Sequence, residues 1–235
     1  MDYEYINPPL PSVSRWRRLY GKFRGNSPIR VLEYERLEEL GVEGDILDVG
    51  GGKNARYSGL LPKNARVQSI NIDPGIEPSF LIDPDGNFPI DENVFDVAVC
   101  FNTLEHIYDA RHTLAETHRV LKPGATLHIT VPFIFRIHGH PDDYFRATPS
   151  WWRKTLEDVG FTRASLQPLV WGRNVSAGDI LGYKGLLPKQ LNFHICHLKD
   201  VLYAAMMFRG KSAYSGKRGE RICSVSLGWF ISATK

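Results

Sequence analysis

The chain is poor in cysteine: Cys100, Cys196 and Cys223 are its only three, far apart and in no CxxC spacing. An odd, scattered set excludes a disulfide framework and a cysteine zinc site as sources of stability. Long apolar runs are also missing. The most apolar stretch, Val201 to Phe208 (VLYAAMMF), falls far short of the roughly 20 residues a bilayer crossing requires, so no transmembrane segment is expected. The opening MDYEYINPPLPSV carries acids and prolines where a secretion signal has basic residues and then an apolar core. Nor is there a large excess of charge of one sign. With 29 Lys and Arg against 26 Asp and Glu, the formal net charge is +3, too even for a dedicated polyanion binder. These absences point to a cytoplasmic protein in a reducing compartment and disfavour nucleic acid as a partner. Internal repeats and low-complexity tracts are lacking as well.

What is present is enough apolar material for one sizeable core: 43% of 235 residues. Four short β-rich runs, Ile46 to Val49, Val67 to Ile72, Phe95 to Phe101 and Thr126 to Val131, alternate with helical text, the rhythm of a parallel sheet. Helices are expected over Ile29 to Leu40, Ala110 to Leu121 and Pro149 to Val159. Lys122-Pro123-Gly124 closes the second, because proline and glycine cannot continue it. Thr148 is the expected cap of the third, with Pro149 at its first position and Gly160 at its end. A strand near Ser165 to Val170 and a final strand over Ile222 to Ala233 complete the expected elements. The domain plan is a single unit over 1–235: a helical lead-in (1–44), a ligand-binding core (45–171), an insertion or lid (172–220) and the last strand (221–235).

The strongest local signal is Ile46-Leu47-Asp48-Val49-Gly50-Gly51-Gly52-Lys53-Asn54, a strand running into a glycine turn. Without Cβ atoms such a turn adopts positive φ and lets backbone N–H groups approach a ligand closely. Asp73 ends the next strand, about 20 residues on, where a carboxylate can accept both ribose hydroxyls of a nucleoside. Gly50, Gly52 and Ala55 also satisfy the G-x-G-x-x-G/A pattern of nicotinamide cofactors, so an oxidoreductase is a rival reading. Asp48 argues against it: an acid beside the turn repels phosphate but suits the cationic ammonium and sulfonium of S-adenosylmethionine.

Four blocks, LDVGGGKN, NIDP, FPIDENVFDVAVCFNTLEHIYD and HRVLKPGATLHITVPF, resemble in order and spacing the class I S-adenosylmethionine-dependent methyltransferases, and within them the broad type-11 group. The resemblance covers about Asp45 to Phe161. It implies a Rossmann-like, seven-stranded, mostly parallel α/β sheet with helices on both faces and an antiparallel last strand. It also implies a site in which Asp48 and Gly50, Gly51 and Gly52 flank the methionyl part, Asp73 holds the ribose, Asp83 lies near the adenine, and Asn102 faces the methionine or the acceptor. Asn54 stands where the family usually has a third glycine; of the non-glycine residues asparagine tolerates that conformation best. Some quinone-biosynthesis relatives carry a Glu-x-x-Glu-His metal site. Here Glu105-His106 match it, but Asn102 replaces the first acid, so no metal is expected and the pair also reads as an ordinary helix start.

Ligands of open α/β sheets bind beyond the carboxyl ends of the strands, which directs attention to residues 132–148. There His140 and His138 are candidate bases, with Asp143 to orient them. The bland alternative has these side chains satisfying loop backbone, with Arg146 pairing to Asp142 or Asp143. Asn102-Thr103-Leu104 lacks the Asn-Pro-Pro-aromatic motif of base amino methylation. The expected activity is methyl transfer to O or N of a small or medium-sized molecule, with a saccharide or other metabolite the first choice. A non-catalytic S-adenosylmethionine-binding partner protein and an RNA methyltransferase are the alternatives. The basic segments Arg15 to Arg24 and Phe208 to Arg221 leave room for peripheral membrane contact, although a solvated edge is the commoner meaning. Leu198 to Phe208 reads as lid, dimer contact or core, and the oligomeric state is open.

Overall fold

The computed structural model describes residues 1–62, 64–139 and 142–235. In chain order the elements are β1 (Asp2–Tyr5), α1 (Val13–Lys22), α2 (Pro28–Leu37), β2 (Asp45–Val49), β3 (Arg66–Asn71), β4 (Phe80–Leu81), β5 (Phe95–Phe101), α3 (Ala110–Val120), β6 (Leu121–Pro132), α4 (Pro149–Val159), β7 (Arg163–Leu169), α5 (Arg173–Ile180), α6 (Lys189–Met207), α7 (Gly216–Cys223) and β8 (Gly228–Thr234). The described strands form one eight-stranded sheet in the order β1-β7-β8-β6-β5-β2-β3-β4. All neighbours run parallel except β8, which is antiparallel to both β6 and β7. The Rossmann-like α/β sheet and its antiparallel last strand match the sequence reading.

Period-two alternation puts β5 between two cores. Ala98 and Cys100 pack with Leu114, Val120, Trp152 and Leu156 under α3 and α4. Val97, Val99 and Phe101 pack with Leu19, Val31, Leu32 and Val175 under α1, α2 and α5. A strand buried on both faces is what helices on both sides of a parallel sheet require. Capping follows residue chemistry. Asp109 accepts the His112 N–H at 3.0 Å to start α3, and Gly160 ends α4 at φ 112°, a left-handed conformation that favours glycine. Thr148 occupies the cap position of α4, but its side chain makes no capping hydrogen bond.

Three expectations are corrected. The sheet has eight strands rather than seven, because Asp2–Tyr5 pairs in parallel with Arg163–Leu166. Four residues of alternating acid and tyrosine are too short and polar to stand out as a strand, yet Tyr3 packs on the core. The segment before residue 45 therefore contributes an edge strand as well as helices. The last strand begins at Gly228, not Ile222. Ile222 and Cys223 belong to α7, where with Gly219 they make an i, i+3, i+4 face buried against Val170, Phe208 and Tyr214. The insertion is helical throughout its regular elements. Asp200 of α6 accepts the N–H groups of Asn174 at 3.0 Å and Val175 at 2.8 Å, capping α5 from a neighbouring helix. The stripe Leu198 to Phe208 divides: Val201, Ala204 and Phe208 are buried, while Leu202 and Met206 remain exposed. No helix of the described residues is long and apolar enough to cross a membrane.

Arg15 on α1 and Glu35 on α2 are both buried and joined by two-pronged hydrogen bonds of 2.6 to 3.1 Å, with Arg18 adding a third arm. Burial raises the Glu35 carboxyl, but the two guanidinium groups outweigh it and leave its pKa below the ordinary value. Glu35→Gln is expected to destabilise the fold by about 1–3 kcal/mol at neutral pH, since it leaves a buried arginine underpaired. A depressed folded-state pKa stabilises above the unfolded value, about 4.3 for glutamate. The difference between wild type and variant in urea denaturation should therefore shrink as pH falls through the lower folded-state value.

Candidate active site

The strands β2, β3 and β4 progress outward in one direction, and the chain then crosses back to place β5 on the other side of β2. This reversal opens a crevice beyond the carboxyl ends of β2 and β5, the place where doubly wound sheets bind ligands. Gly50 enters the crevice at φ 87° with its N–H on the Ile70 carbonyl at 2.8 Å. A Cβ there would stand 2.2 Å from Thr103, and one on Gly51 would stand 1.9 Å from the Asp48 carboxylate. The turn is thus closed by its own neighbours, and only glycine lets backbone lie this close to the switch point.

Two side chains hold that turn. Asn71, at the end of β3, donates to the Gly50 carbonyl at 2.6 Å. Asp48, almost wholly buried beneath Gly51, accepts the Tyr57 hydroxyl at 2.6 Å. Burial lifts the Asp48 carboxyl to about 6, the Tyr57 hydrogen bond acting the other way. A desolvated carboxylate of this kind is stabilised by a cation brought next to it. Asp73 follows β3 at the sheet's edge of the crevice. Its Oδ1 accepts the Gly75 N–H at 2.8 Å, its own N–H is held by Asn71, and its carboxylate is exposed. Asp83 is exposed just beyond β4, whose pairing with β3 sets it on the same rim.

Asn102 ends β5 in a left-handed conformation, φ 51°. Its amide points back into the protein, donating to Glu33 at 2.5 Å and to Thr130 Oγ1 at 3.3 Å. Glu33 of α2 is fully buried, and desolvation raises its pKa against the lowering effects of Arg30, Asn102 and Thr130. Sequence reasoning missed Glu33, Tyr57 and Asn71. Asn71 lay inside the NIDP block and was open to notice; the other two come from remote elements with no local signature.

Past Asn102 a short 3₁₀ turn, Leu104–His106, packs under the segment after β6. The Glu105 carbonyl accepts the Tyr144 N–H at 2.8 Å, and His106 Nδ1 lies 2.5 Å from the Asp142 carbonyl. Asp143 is gripped by Arg146, which holds its carboxyl down at about 2. Its Oδ2 also accepts the His138 backbone N–H at 2.8 Å and stands 3.4 Å from His138 Nδ1. His138 and Asp143 are thus brought together next to Glu105-His106, while His140 lies outside the described residues. Beside them a cavity of about 530 Å³ is lined by Tyr108, Arg111, Tyr144, Arg146 and Trp151, among others. It adjoins the start of α3 and α4 and is separate from the glycine turn.

A family model described as a methyltransferase domain matches residues 47–129. No curated protein matches the chain. Among solved structures, phosphoethanolamine N-methyltransferase 2 of Haemonchus contortus, in complex with phosphomonomethylethanolamine and S-adenosylhomocysteine, is 13% identical with a TM-score of 0.54. The match covers 94% of this chain but 57% of that one, so this chain spans little more than half that enzyme's length. A Haloferax volcanii methyltransferase candidate in complex with the Trm112 methyltransferase activator is 17% identical, with TM-score 0.54 and coverage of 96% and 98%. A SAM-dependent methyltransferase from Archaeoglobus fulgidus is 14% identical, with TM-score 0.53 and coverage of 94% and 99%. At these identities the likeness is one of fold.

The Asn102 amide bridges β5 to the buried Glu33, so its loss should appear in stability. Asn102→Asp sets a second carboxyl against Glu33 and is expected to lower the urea midpoint more than Asn102→Ala does, with a loss of unfolding free energy of about 1–3 kcal/mol relative to wild type. Equal midpoints for all three proteins would remove the bridging role.

Proposed function

We propose that this chain transfers the methyl group of S-adenosylmethionine to an oxygen or nitrogen of a small or medium-sized acceptor, a reading supported by the match of residues 47–129 to a methyltransferase-domain family model. One observation carries the reading: a buried carboxylate, Asp48, lies directly beneath a glycine turn at the switch point of the sheet, with Asp73 exposed on its rim. The fit is chemical as well as spatial. Asp48 is a desolvated acid that a nearby cation would stabilise, and the methionyl ammonium and sulfonium are cations. The Gly50 to Gly52 backbone and Asp48 flank the methionyl part. Asp73 receives the ribose hydroxyls and Asp83 meets the adenine. Asn102 shapes the turn's far wall through Glu33 instead of offering its amide directly.

The bound cofactor supplies an electrophilic methyl on a good leaving group. What remains for the protein is alignment and the handling of one proton. Holding acceptor and donor in line can contribute about 7–11 kcal/mol to the barrier. The acceptor side is built from residues 132–148, where the backbone bond between Tyr144 and Glu105 and the contact of the His106 ring with the Asp142 carbonyl tie the loop to the β5 end. Proton removal, where the acceptor needs it, falls to the imidazoles of that loop, His140 and His138, with Asp143 orienting His138. The mixture of aromatic and charged groups around the neighbouring cavity suits a polar metabolite, with a saccharide as the first class to screen.

Calorimetry with S-adenosylmethionine and its demethylated product tests the cofactor, and mass analysis of nucleoside that co-purifies provides a second readout. Asp73→Ala is expected to weaken cofactor binding about 10- to 150-fold, the loss of charge-assisted hydrogen bonds of about 1.5–3 kcal/mol. Asp48 holds its proton below about 6, so wild-type affinity should fall as pH drops through that value and Asp48→Asn should flatten the profile. No measurable affinity for either nucleoside at neutral pH would overturn the assignment. A screen of hydroxyl- and amine-bearing metabolites with labelled methyl donor then identifies the acceptor.

A further inference from the structure

We propose that Glu105, His106 and His138 form a binding site for one first-row divalent metal ion of the zinc class, at the junction of the 3₁₀ turn after β5 and the segment after β6. One carboxylate oxygen and one ring nitrogen from each histidine lie within 4.8 Å of one another. Glu105 Oε1 is 3.7 Å from His106 Nε2, and the His106 and His138 rings meet edge to face with centroids 5.0 Å apart. Bonds of about 2.0–2.2 Å place the ligand atoms of a tetrahedral ion about 3.3 Å apart. Closing the set needs side-chain movements of roughly 1 Å.

The second observation is the state of Glu105. Its side chain is 1% exposed, and among the described residues no other residue hydrogen-bonds either carboxylate oxygen. Burying an unsatisfied carboxyl is costly and calls for a compensating group. Arg146, the guanidinium whose charge acts on Glu105, is already committed to Asp143.

Both histidines are oriented from behind, as metal-bound imidazoles are. His106 Nδ1 faces the Asp142 carbonyl at 2.5 Å. His138 Nδ1 faces the Arg136 carbonyl at 3.1 Å and Asp143 Oδ2 at 3.4 Å, with Arg146 at the 3.5 Å limit of contact. Carbonyl and carboxylate acceptors place the proton on Nδ1 in each ring and the lone pair on Nε2. Two imidazoles and one carboxylate suit zinc and its first-row neighbours and leave coordination positions open. His138 is 40% exposed, so those positions can be reached from solvent. The set differs from the Glu-x-x-Glu-His pattern. Asn102 fills that motif's first position with its amide on Glu33, and the third ligand comes from the loop after β6 instead. With an ion bound, His138 is a ligand and proton transfer in the proposed reaction passes to His140.

The full chain, tag-free and treated with chelator, is titrated with Zn²⁺ by calorimetry and with Co²⁺ by visible absorption. One ion per chain and cobalt d–d bands displaced by zinc are expected. Glu105→Gln and His138→Ala should each weaken zinc binding at least about tenfold with unchanged far-UV circular dichroism. His194→Ala, an exposed histidine elsewhere, should leave it intact. His138 sits on a surface loop, so its variant keeps the test valid should Glu105→Gln fold poorly. Zinc binding that is absent in wild type, or equal in wild type and His138→Ala, overturns the site. No methyl donor enters these titrations, so their failure is separate from failure of the methyl-transfer reading.

Discussion

The reversal of strand order between β2 and β5 governs the rest of the molecule. Every other parallel connection lays a helix or loop back across the sheet, but at the reversal two chains leave their strands in opposite directions and the space between their carboxyl ends stays open. The backbone that turns there has to do so within the width of neighbouring strands. That explains why Gly50 takes a positive φ, why Thr103 and Asp48 stand so close to Gly50 and Gly51, and why Asn71 reaches across from β3 to hold the carbonyl of Gly50. The crevice is therefore a product of topology, and the side chains around it specialise a cleft that the fold already provides.

That specialisation is electrostatic. Three carboxyl groups, Glu33, Asp48 and Glu105, are each almost fully removed from solvent near the end of β5, and desolvation lifts all three. Their compensation is graded. Glu33 has Asn102, Thr130 and a more distant Arg30, Asp48 has one tyrosine, and the Glu105 carboxylate has no hydrogen bond from another of the described residues. A core selected for stability alone would replace such groups with apolar residues of similar volume. Clustering of strained acids at a topological switch point is a feature of functional sites. The gradient separates Glu33, whose carboxylate is held by several neighbours, from Asp48 and Glu105, which are held by fewer.

What could be read from the sequence was what the backbone restricts. The glycine turn and Asp73 were legible because positive φ and close approach admit few residue types and because the two strands fix their separation. The helix over Pro149 to Val159 was legible from proline at one end and glycine at the other. Interactions between distant segments left no local trace. Glu33 reaches Asn102 across 69 positions, and nothing in the amphipathic pattern of α2 marks one glutamate as buried. β1 escaped notice because an edge strand of four residues needs no apolar run. The end of α7 was read as the start of the last strand because Ile222 and Cys223 satisfy either period over so short a window. Asn102 was expected to face the ligand from its place at a strand end, and its left-handed backbone turned the amide inward.

The short turn after β5 joins the two halves of the site. At its start Thr103 packs on Gly50, so it touches the cradle. At its end Glu105 and His106 bind the backbone of Tyr144 and Asp142, so it touches the acceptor loop. Three residues of 3₁₀ helix have little freedom to absorb a displacement at one end without passing it to the other, because their backbone bonds and a buried Leu104 fix them to the sheet. Thr103 beside Gly50 and the ties of Glu105 and His106 to the following loop are therefore held by one short, well-fixed turn. On the proposed reading, acceptor choice lies in loop 132–148, and residues 103–106 set how the described part of that loop meets the crevice.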